Sequence, residues 1–211
     1  MSLMIPAGDL QLEAIFREPQ GARRGAAVVC HPHPVYGGTM DNRVVYRAAK
    51  AVVEAGFAAL RFNFRGAGHS TGQYDQGIGE KEDTAAAIGW LEAKYPSLPL
   101  ALVGYSFGAW VGLQVGSSDL RIKAMVALAP PLDLYDFEFL YNNRKPTLYI
   151  AGTRDEFCSQ RNLEQLARRL PASSSVHRLE GAEHFFTGFI EAIQRLITDF
   201  FRALSLDQDP P

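Results

Sequence analysis

Short apolar runs alternate along this chain with longer segments in which apolar residues recur every three to four positions. The short runs predict strands at residues 10–17, 26–30, 57–64, 100–103, 122–128, 147–151 and 175–179. The longer segments predict amphipathic helices at residues 41–55, 80–95, 109–115, 162–170 and 187–204. Such alternation is typical of an α/β fold, in which a mostly parallel central sheet carries helices on both faces.

The predicted order of elements leaves no space for a covering domain. Only residues 129–146 separate the strand at 122–128 from the next, and this segment is too short for an inserted lid domain. We therefore expect one domain over residues 1–211, without a lid and with a frayed tail at 205–211.

Composition and charge narrow the choice of partners. The chain has 211 residues, with 21 basic and 23 acidic side chains and a net charge of −2, so no basic surface for nucleic acid is expected. No apolar stretch is long enough to span a membrane, and Asp9 interrupts the segment where a secretory signal needs an apolar core. The expectation is a cytoplasmic protein with no membrane or nucleic-acid partner, whereas its oligomeric state stays open. Cys30 and Cys158 are too few for a disulfide framework.

The pattern Gly-x-Ser-x-Gly occurs twice, around Ser70 and around Ser106. In a nucleophile elbow, a strand runs into the first glycine and a helix leaves after the serine, so that the hydroxyl stands exposed on a sharp turn. Ser106 has the strand-like residues 100–103 before it and helix-forming sequence after it. Ser70 is followed by glycine-rich loop sequence. We therefore predict Ser106 as the nucleophile and Ser70 as the weaker alternative.

A serine nucleophile needs a base and an acid, which in this fold follow it as acid and then histidine. Asp155 comes directly after the strand at 147–151, and Asp133, after the preceding strand, is the alternative acid. His184 follows the strand at 175–179 and precedes the last helix, and it is the predicted base. The other histidines are less well placed, and His177 alternates outward within its strand.

An oxyanion hole requires two N–H donors aimed at the developing negative charge. We expect one from Phe107, the residue after the nucleophile, and the other from the loop at residues 31–38. Pro32 and Pro34 carry no N–H, so the prediction is His33, with Val35 and Tyr36 behind it.

No cofactor and no metal are expected. A metal site on His31 and His33 would need further ligands, and no second cluster of ligand type appears. The glycine-rich residues 65–70 follow a strand, but they open no helix and contain no P-loop lysine, so we interpret them as a loop beside the site.

Aromatic and apolar residues are concentrated at positions 132–141, between the sixth and seventh predicted strands. This segment is either a short helix that packs on the body of the protein or an apolar wall for a substrate's acyl or alcohol group. As substrate-contacting residues we predict Tyr36, Tyr105, Leu134 and Phe137.

Taken together, these motifs resemble the small, lid-less α/β-hydrolases of the dienelactone hydrolase-like group. The resemblance covers nearly the whole chain, and its most specific part is listed here: His31-Pro32-His33-Pro34 with Gly37-Gly38 and Asn42, Arg65-Gly66-x-Gly68-x-Ser70, and Gly104-x-Ser106-x-Gly108. It implies an acyl hydrolase whose triad is Ser106, Asp155 and His184. Dienelactone hydrolases themselves use a cysteine nucleophile, and this chain has a serine.

The expected function is hydrolysis of carboxylic esters, mainly of short acyl groups, through an acyl-enzyme intermediate. A thioesterase with the same triad is the alternative, and a peptidase is more distant. A catalytically silent binding protein on the same scaffold is the hypothesis from another class.

Overall fold

A computed structural model describes residues 2–205 of the chain, so most of the predicted frayed tail, residues 206–211, lies outside the described residues. Within residues 2–205, eight strands form one sheet: β1 (Leu3–Ala7), β2 (Leu10–Arg17), β3 (Gly25–Cys30), β4 (Phe57–Phe62), β5 (Leu100–Tyr105), β6 (Ile122–Leu128), β7 (Thr147–Gly152) and β8 (Ser174–Leu179). Their spatial order is β1-β2-β4-β3-β5-β6-β7-β8. Strands β1 and β2 pair antiparallel with their neighbours and all other pairs are parallel. The predicted mostly parallel sheet is confirmed.

In the described part of the chain, five helices cover the sheet: α1 (Arg43–Glu54), α2 (Ile78–Lys94), α3 (Phe107–Ser118), α4 (Gln160–Arg169) and α5 (Ile190–Ala203). Helices α1 and α5 bury their apolar stripes against one face, and α2 and α3 bury theirs against the other, where α4 adds Leu166. Because neighbouring side chains of a strand point to opposite faces, β5 sends Leu102 to the α2 and α3 layer and Val103 to the α1 and α5 layer.

Strand β1 was not predicted from the sequence. Its five residues pair with β2 at the sheet edge, and only Ile5 among them is fully buried. An edge strand with one core residue leaves a weak hydrophobic pattern, which the nearby Asp9 and Gly8 interrupt further.

The segment between β6 and β7 contains one short 3-10 helix, Glu138–Leu140, in place of a lid. Leu140 and Phe137 are buried in the core layer that also contains α3. Thus the C-terminal ends of β3, β5, β7 and β8 share an edge of the sheet that no inserted domain covers. Among the described residues, no helix is long and apolar enough to cross a membrane.

Candidate active site

Ser106 lies on a strained turn between β5 and α3. Its φ of 54° and ψ of −121° fall in a region that non-glycine residues rarely adopt, and it is the residue immediately before the helix. The two glycines of the motif make this turn possible. A Cβ at Gly104 would lie 2.4 Å from the carbonyl oxygen of Gly108, and a Cβ at Gly108 would lie 2.4 Å from that of His31. The motif therefore lets helix, strand and the loop after β3 approach one another closely.

The structure brings the three predicted triad residues together. His184 Nε2 lies 2.9 Å from Ser106 Oγ. On the other side of the imidazole, Nδ1 lies 2.9 and 3.0 Å from the two carboxylate oxygens of Asp155. The carboxylate accepts the Nδ1 proton, which leaves Nε2 free to accept the proton of the serine hydroxyl.

Three different loops supply these groups, and two of them are in direct contact. The N–H of Arg154, beside Asp155, donates to the carbonyl of Ala182, two residues before His184, over 2.9 Å. A Cβ at Gly152 would lie only 2.1 Å from the same carbonyl, so this approach requires glycine. The β7 loop and the β8 loop are thereby fixed against each other with the acid facing the base.

Aromatic rings surround His184. Phe157 meets the imidazole edge-on at a centroid distance of 4.8 Å, and Phe185 does so at 5.6 Å. The Tyr105 ring stacks on it at 5.8 Å, and the Tyr105 hydroxyl donates to the His184 carbonyl over 3.2 Å. These contacts hold the imidazole in one orientation between serine and carboxylate.

Tyr105 was predicted to contact substrate, and the structure places it elsewhere. The alternation of β5 continues through this residue, so its ring points into the α1 and α5 core layer and is 1% exposed. Burial raises the pKa of its phenol above the ordinary range, with Asp155 adding to the effect. Tyr105 therefore supports the histidine loop from below and offers no surface to a substrate.

Of the other three predicted substrate-contacting residues, two are exposed and one is buried. Tyr36 and Leu134 are exposed, whereas Phe137 is buried and stacks on Phe139. The segment at 132–141 thus combines both interpretations that its sequence allowed, because it packs on the body through Phe137 and still presents Leu134 to solvent.

The N–H groups expected to form the oxyanion hole can be compared. The N–H of Phe107 is the first of helix α3 and has no intrahelical acceptor, and the positive end of the helix dipole lies there. In the loop after β3, the N–H of Val35 donates to His33 Nδ1 and that of Tyr36 donates to the His33 carbonyl. Both alternatives are engaged within the loop, which favours His33 as the second donor.

His31 is a buried structural residue. Its Nδ1 donates to the carbonyl of Pro32, and its Nε2 accepts the N–H of Phe64 over 2.9 Å. Burial lowers the pKa of this imidazole to about 4, so it is neutral at physiological pH. Since both ring nitrogens are occupied, His31 offers no electron pair to a metal ion.

The two alternative site residues have other partners. Ser70 is buried, and its hydroxyl donates to the carbonyl of Asn63 and accepts the N–H of Glu13. Asp133 accepts from the N–H and hydroxyl of Ser159 at the start of α4. Neither lies in contact with His184, whose two ring nitrogens are taken by Ser106 and Asp155.

Sequence reasoning missed an aromatic cluster beside Ser106, formed by His33, Tyr36, Tyr74, Phe107, Trp110 and Tyr135. The His33 ring lies 4.7 to 4.8 Å from the rings of Tyr36, Tyr74 and Phe107. Tyr135 stacks on Trp110 at 4.2 Å. Because the members come from three loops and one helix, no local spacing in the sequence connects them.

Known proteins resemble this chain along most of its length. The family model described as X-Pro dipeptidyl-peptidase (S15 family) matches residues 10–177. An uncharacterized protein of Rickettsia prowazekii, RP471, is 35% identical over 199 residues, which cover 90% of this chain and 84% of that protein.

Solved structures share the complete fold. An α/β serine hydrolase homologue from Coxiella burnetii has a TM-score of 0.86 and 32% identity, covering 94% of this chain and 96% of its own. XC6422 from Xanthomonas campestris, described as an α/β serine hydrolase without lid, has a TM-score of 0.86 and 31% identity, covering 99% and 96%. The resemblance to lid-less α/β serine hydrolases inferred from the motifs is confirmed.

Proposed function

The chain belongs to the X-Pro dipeptidyl-peptidase (S15) family, and from this premise we propose that it hydrolyses carboxylic esters of short acyl groups through an acyl-enzyme intermediate. One observation carries the proposal: the continuous hydrogen-bonded series from Ser106 Oγ through His184 to Asp155, with distances of 2.9 Å on both sides of the imidazole. A buried series of this kind activates a serine hydroxyl for attack on a carbonyl carbon.

The proposed reaction has two halves. His184 Nε2 takes the Ser106 proton while Oγ attacks the ester carbonyl, and the N–H groups of Phe107 and His33 stabilise the resulting oxyanion. His184 then gives that proton to the leaving alcohol as the C–O bond breaks. A water molecule repeats the sequence on the acyl-enzyme, which releases the carboxylic acid and restores the serine. Asp155 stabilises the imidazolium in both halves and keeps its orientation.

Short acyl groups are proposed because little apolar surface covers the site. The connection between β6 and β7 has only the 3-10 helix Glu138–Leu140, which packs against the body. Each methylene that stays in water forgoes about 0.8 kcal/mol of burial free energy. A long acyl chain would therefore gain little over a short one.

The description of the family favours a second candidate, release of dipeptides after proline. Such an activity needs a carboxylate to bind the free amino group of the peptide. Glu80 is the buried carboxylate whose charge acts on His33 and Tyr74. Both of its oxygens accept backbone N–H groups, from Asp75 and Gly77, and its side chain is fully buried. Because Glu80 is fully buried and already binds two backbone N–H groups of its own loop, it is not accessible to a substrate amine, which favours the ester.

The test compares kcat/KM for p-nitrophenyl esters from two to sixteen carbons, for acyl-CoA thioesters and for Gly-Pro p-nitroanilide, with Ser106→Ala as the blank. We expect a maximum between two and six carbons, no effect of a chelator, and at most weak cleavage of the anilide. A maximum at twelve carbons or more would contradict the short-chain proposal. Faster cleavage of the anilide than of any ester would establish the peptidase instead, and no turnover of any substrate would favour the silent binding protein.

A further inference from the structure

Three partly exposed tyrosines from three separate loops converge around the rings of His33 and Phe107, the residue that follows Ser106. Tyr36 follows β3, Tyr74 lies between β4 and α2, and Tyr135 lies between β6 and β7. Tyr36 is 85% exposed, and the other two are half-buried against the ring of Phe107, at centroid distances of 5.9 and 6.3 Å. They form an aromatic surface directly next to the residue whose N–H is proposed to hold the oxyanion.

The phenol groups of this surface influence one another electrostatically. Burial raises the pKa of Tyr74, and the neighbouring phenols of Tyr135 and Tyr36 and the carboxylate of Glu80 raise it further. Burial and Tyr36 likewise raise the pKa of Tyr135. Within residues 2–205, none of the three hydroxyls has a hydrogen-bond partner. The surface therefore combines ring faces with hydroxyl groups that remain available for a ligand.

The position of His184 decides which part of a substrate would meet the tyrosines. In the proposed reaction His184 protonates the leaving oxygen. The leaving alcohol therefore lies on the His184 side of the site, where Phe157 and Phe185 flank the imidazole. The tyrosines instead contact His33 and Phe107. The acyl group, which extends from the carbonyl away from the leaving oxygen, would lie along them.

We propose that this site selects acyl groups that carry a flat aromatic ring with oxygen substituents, and that Tyr36, Tyr74 and Tyr135 determine that specificity. The inference rests on the proposed ester hydrolysis and adds ring-bearing acyl groups to the short unbranched acyl groups proposed above. Aromatic rings prefer offset-stacked and edge-to-face contacts with other rings, which a saturated ring of the same size cannot make. The free phenol hydroxyls supply hydrogen bonds to ring hydroxyl or methoxy oxygens.

The test uses p-nitrophenyl esters of 3-phenylpropanoic and 3-cyclohexylpropanoic acid, which share the leaving group and the distance from ring to carbonyl. We expect kcat/KM to favour the phenyl ester by roughly two- to tenfold, because ring contacts add to simple burial. In Tyr74→Leu and Tyr135→Leu the ratio should fall towards one. Tyr46→Leu is the matched control, since Tyr46 is an exposed tyrosine on α1 whose ring contacts Arg61 and has no ring contact with the cluster.

Each ratio is taken within one protein preparation, so partial loss of folded protein does not alter it. If Tyr74→Leu and Tyr135→Leu do not fold, Tyr36→Leu tests the same surface at a residue that is almost fully exposed. A ratio of one or less in the unmodified protein, or a ratio unchanged in all the cluster variants, would overturn the proposal. Hydrolysis of p-nitrophenyl acetate, abolished by Ser106→Ala, shows in the same experiment whether the proposed function itself stands.

A further comparison tests the hydroxyl groups alone. The 3-(4-hydroxyphenyl)propanoyl ester should be preferred over the 3-phenylpropanoyl ester by about two- to fivefold, and Tyr74→Phe together with Tyr135→Phe should remove that preference while the ring preference remains. If the doubly substituted protein keeps the full preference for the hydroxylated ring, the part of the proposal that assigns oxygen recognition to these phenols is wrong.

Discussion

The two Gly-x-Ser-x-Gly segments of this chain share a pattern and differ in everything that surrounds it. Ser106 has a positive φ, stands between strand and helix, and points its hydroxyl at His184. Ser70 lies in a loop, and its hydroxyl joins two backbone groups, the carbonyl of Asn63 and the N–H of Glu13. The first hydroxyl is available to a base, and the second is fully used in holding the loop against β2.

The difference shows what the five-residue pattern encodes. Gly104 and Gly108 are needed because backbone atoms lie where their Cβ atoms would be. In the other copy, Gly68 and Gly72 have φ of +55° and +84°, and the atoms nearest to their Cβ positions belong to side chains: Asn63 Nδ2 at 2.1 Å from Gly68, and Leu10 and Arg65 near Gly72. Glycine therefore permits close packing of backbone segments around Ser106, whereas around Ser70 it permits left-handed turns against packed side chains. The role of the serine follows from its flanking elements.

The largest expected difference between the copies is in reactivity. Ser106→Ala should lower ester hydrolysis by on the order of 10⁴ to 10⁶, and Ser70→Ala should leave it within about tenfold, because only Ser106 is paired with a base. A fluorophosphonate should label Ser106 alone, as located by peptide mass spectrometry. Labelling of Ser70, or near-normal turnover by Ser106→Ala, would refute the assignment of the nucleophile.

The next largest difference is expected when a glycine of each segment, Gly104 or Gly72, is replaced by alanine. Gly104→Ala forces its Cβ to within 2.4 Å of a backbone oxygen, so we expect at least a hundredfold loss of kcat/KM and a loss of about 3 kcal/mol in the free energy of unfolding. Gly72→Ala strains its own φ and displaces only the end of the flexible Leu10 side chain, so it should cost about 1 kcal/mol with little change in activity. Urea unfolding and ester assays on both variants measure this. Equal losses would show that the elbow is not sterically special.

The sequence predicted the fold well because the parallel strands are buried on both faces and give unbroken apolar runs. Strand boundaries differed by one or two residues, as at β4, which ends at Phe62 where residue 64 was expected. Phe64 is apolar and buried like the strand residues, but it lies beyond the strand, where its N–H donates to His31 and the side-chain oxygen of Asn63 accepts the N–H of Met40. Tertiary contacts of this kind leave no local pattern.

The candidate site was predicted where chain order and strand ends are sufficient, as for Ser106, Asp155 and His184. The aromatic cluster, in which residues of three loops meet, was not predicted. Tyr105 lies next to Ser106 in the motif, but the alternation of β5 turns its ring into the core, and Phe137 is buried by packing that no spacing in the sequence reveals. Tyr74 lies in a polar glycine-rich loop, and only the folded chain brings it to His33.

His31 connects the two Gly-x-Ser-x-Gly segments. Its carbonyl oxygen lies against Gly108 of the Ser106 segment, and its Nε2 accepts the N–H of Phe64 at the start of the Ser70 loop. Its pKa is about 4 in the folded protein, where burial disfavours the charged form, and near 6.5 when unfolded. Between these values the unfolded chain binds more protons. The free energy of unfolding should therefore fall as the pH drops from about 6.5 to 4, by about 3 kcal/mol from this residue, and no further below.

Urea unfolding at several pH values tests this in the unmodified protein, in His31→Gln and in His177→Gln, whose histidine is exposed on β8. The slope between pH 6.5 and 4 should be smaller in His31→Gln and unchanged in His177→Gln. If His31→Gln keeps the full slope, groups other than His31 cause the loss of stability at acid pH.

The smallest expected effect separates Ser70 from its neighbour. Ser70→Ala leaves the buried N–H of Glu13 without its acceptor, which should cost about 2 kcal/mol in the free energy of unfolding. Thr71 makes the equivalent bond to the N–H of Gln11, over 2.8 Å, but at an exposed position where water can replace it. Thr71→Ala should therefore cost less than about 1 kcal/mol. Urea unfolding of both variants at neutral pH measures the difference. Equal costs would mean that burial does not strengthen the Ser70 bond, and the contrast between a reactive serine and a structural one would then rest on Ser106 alone.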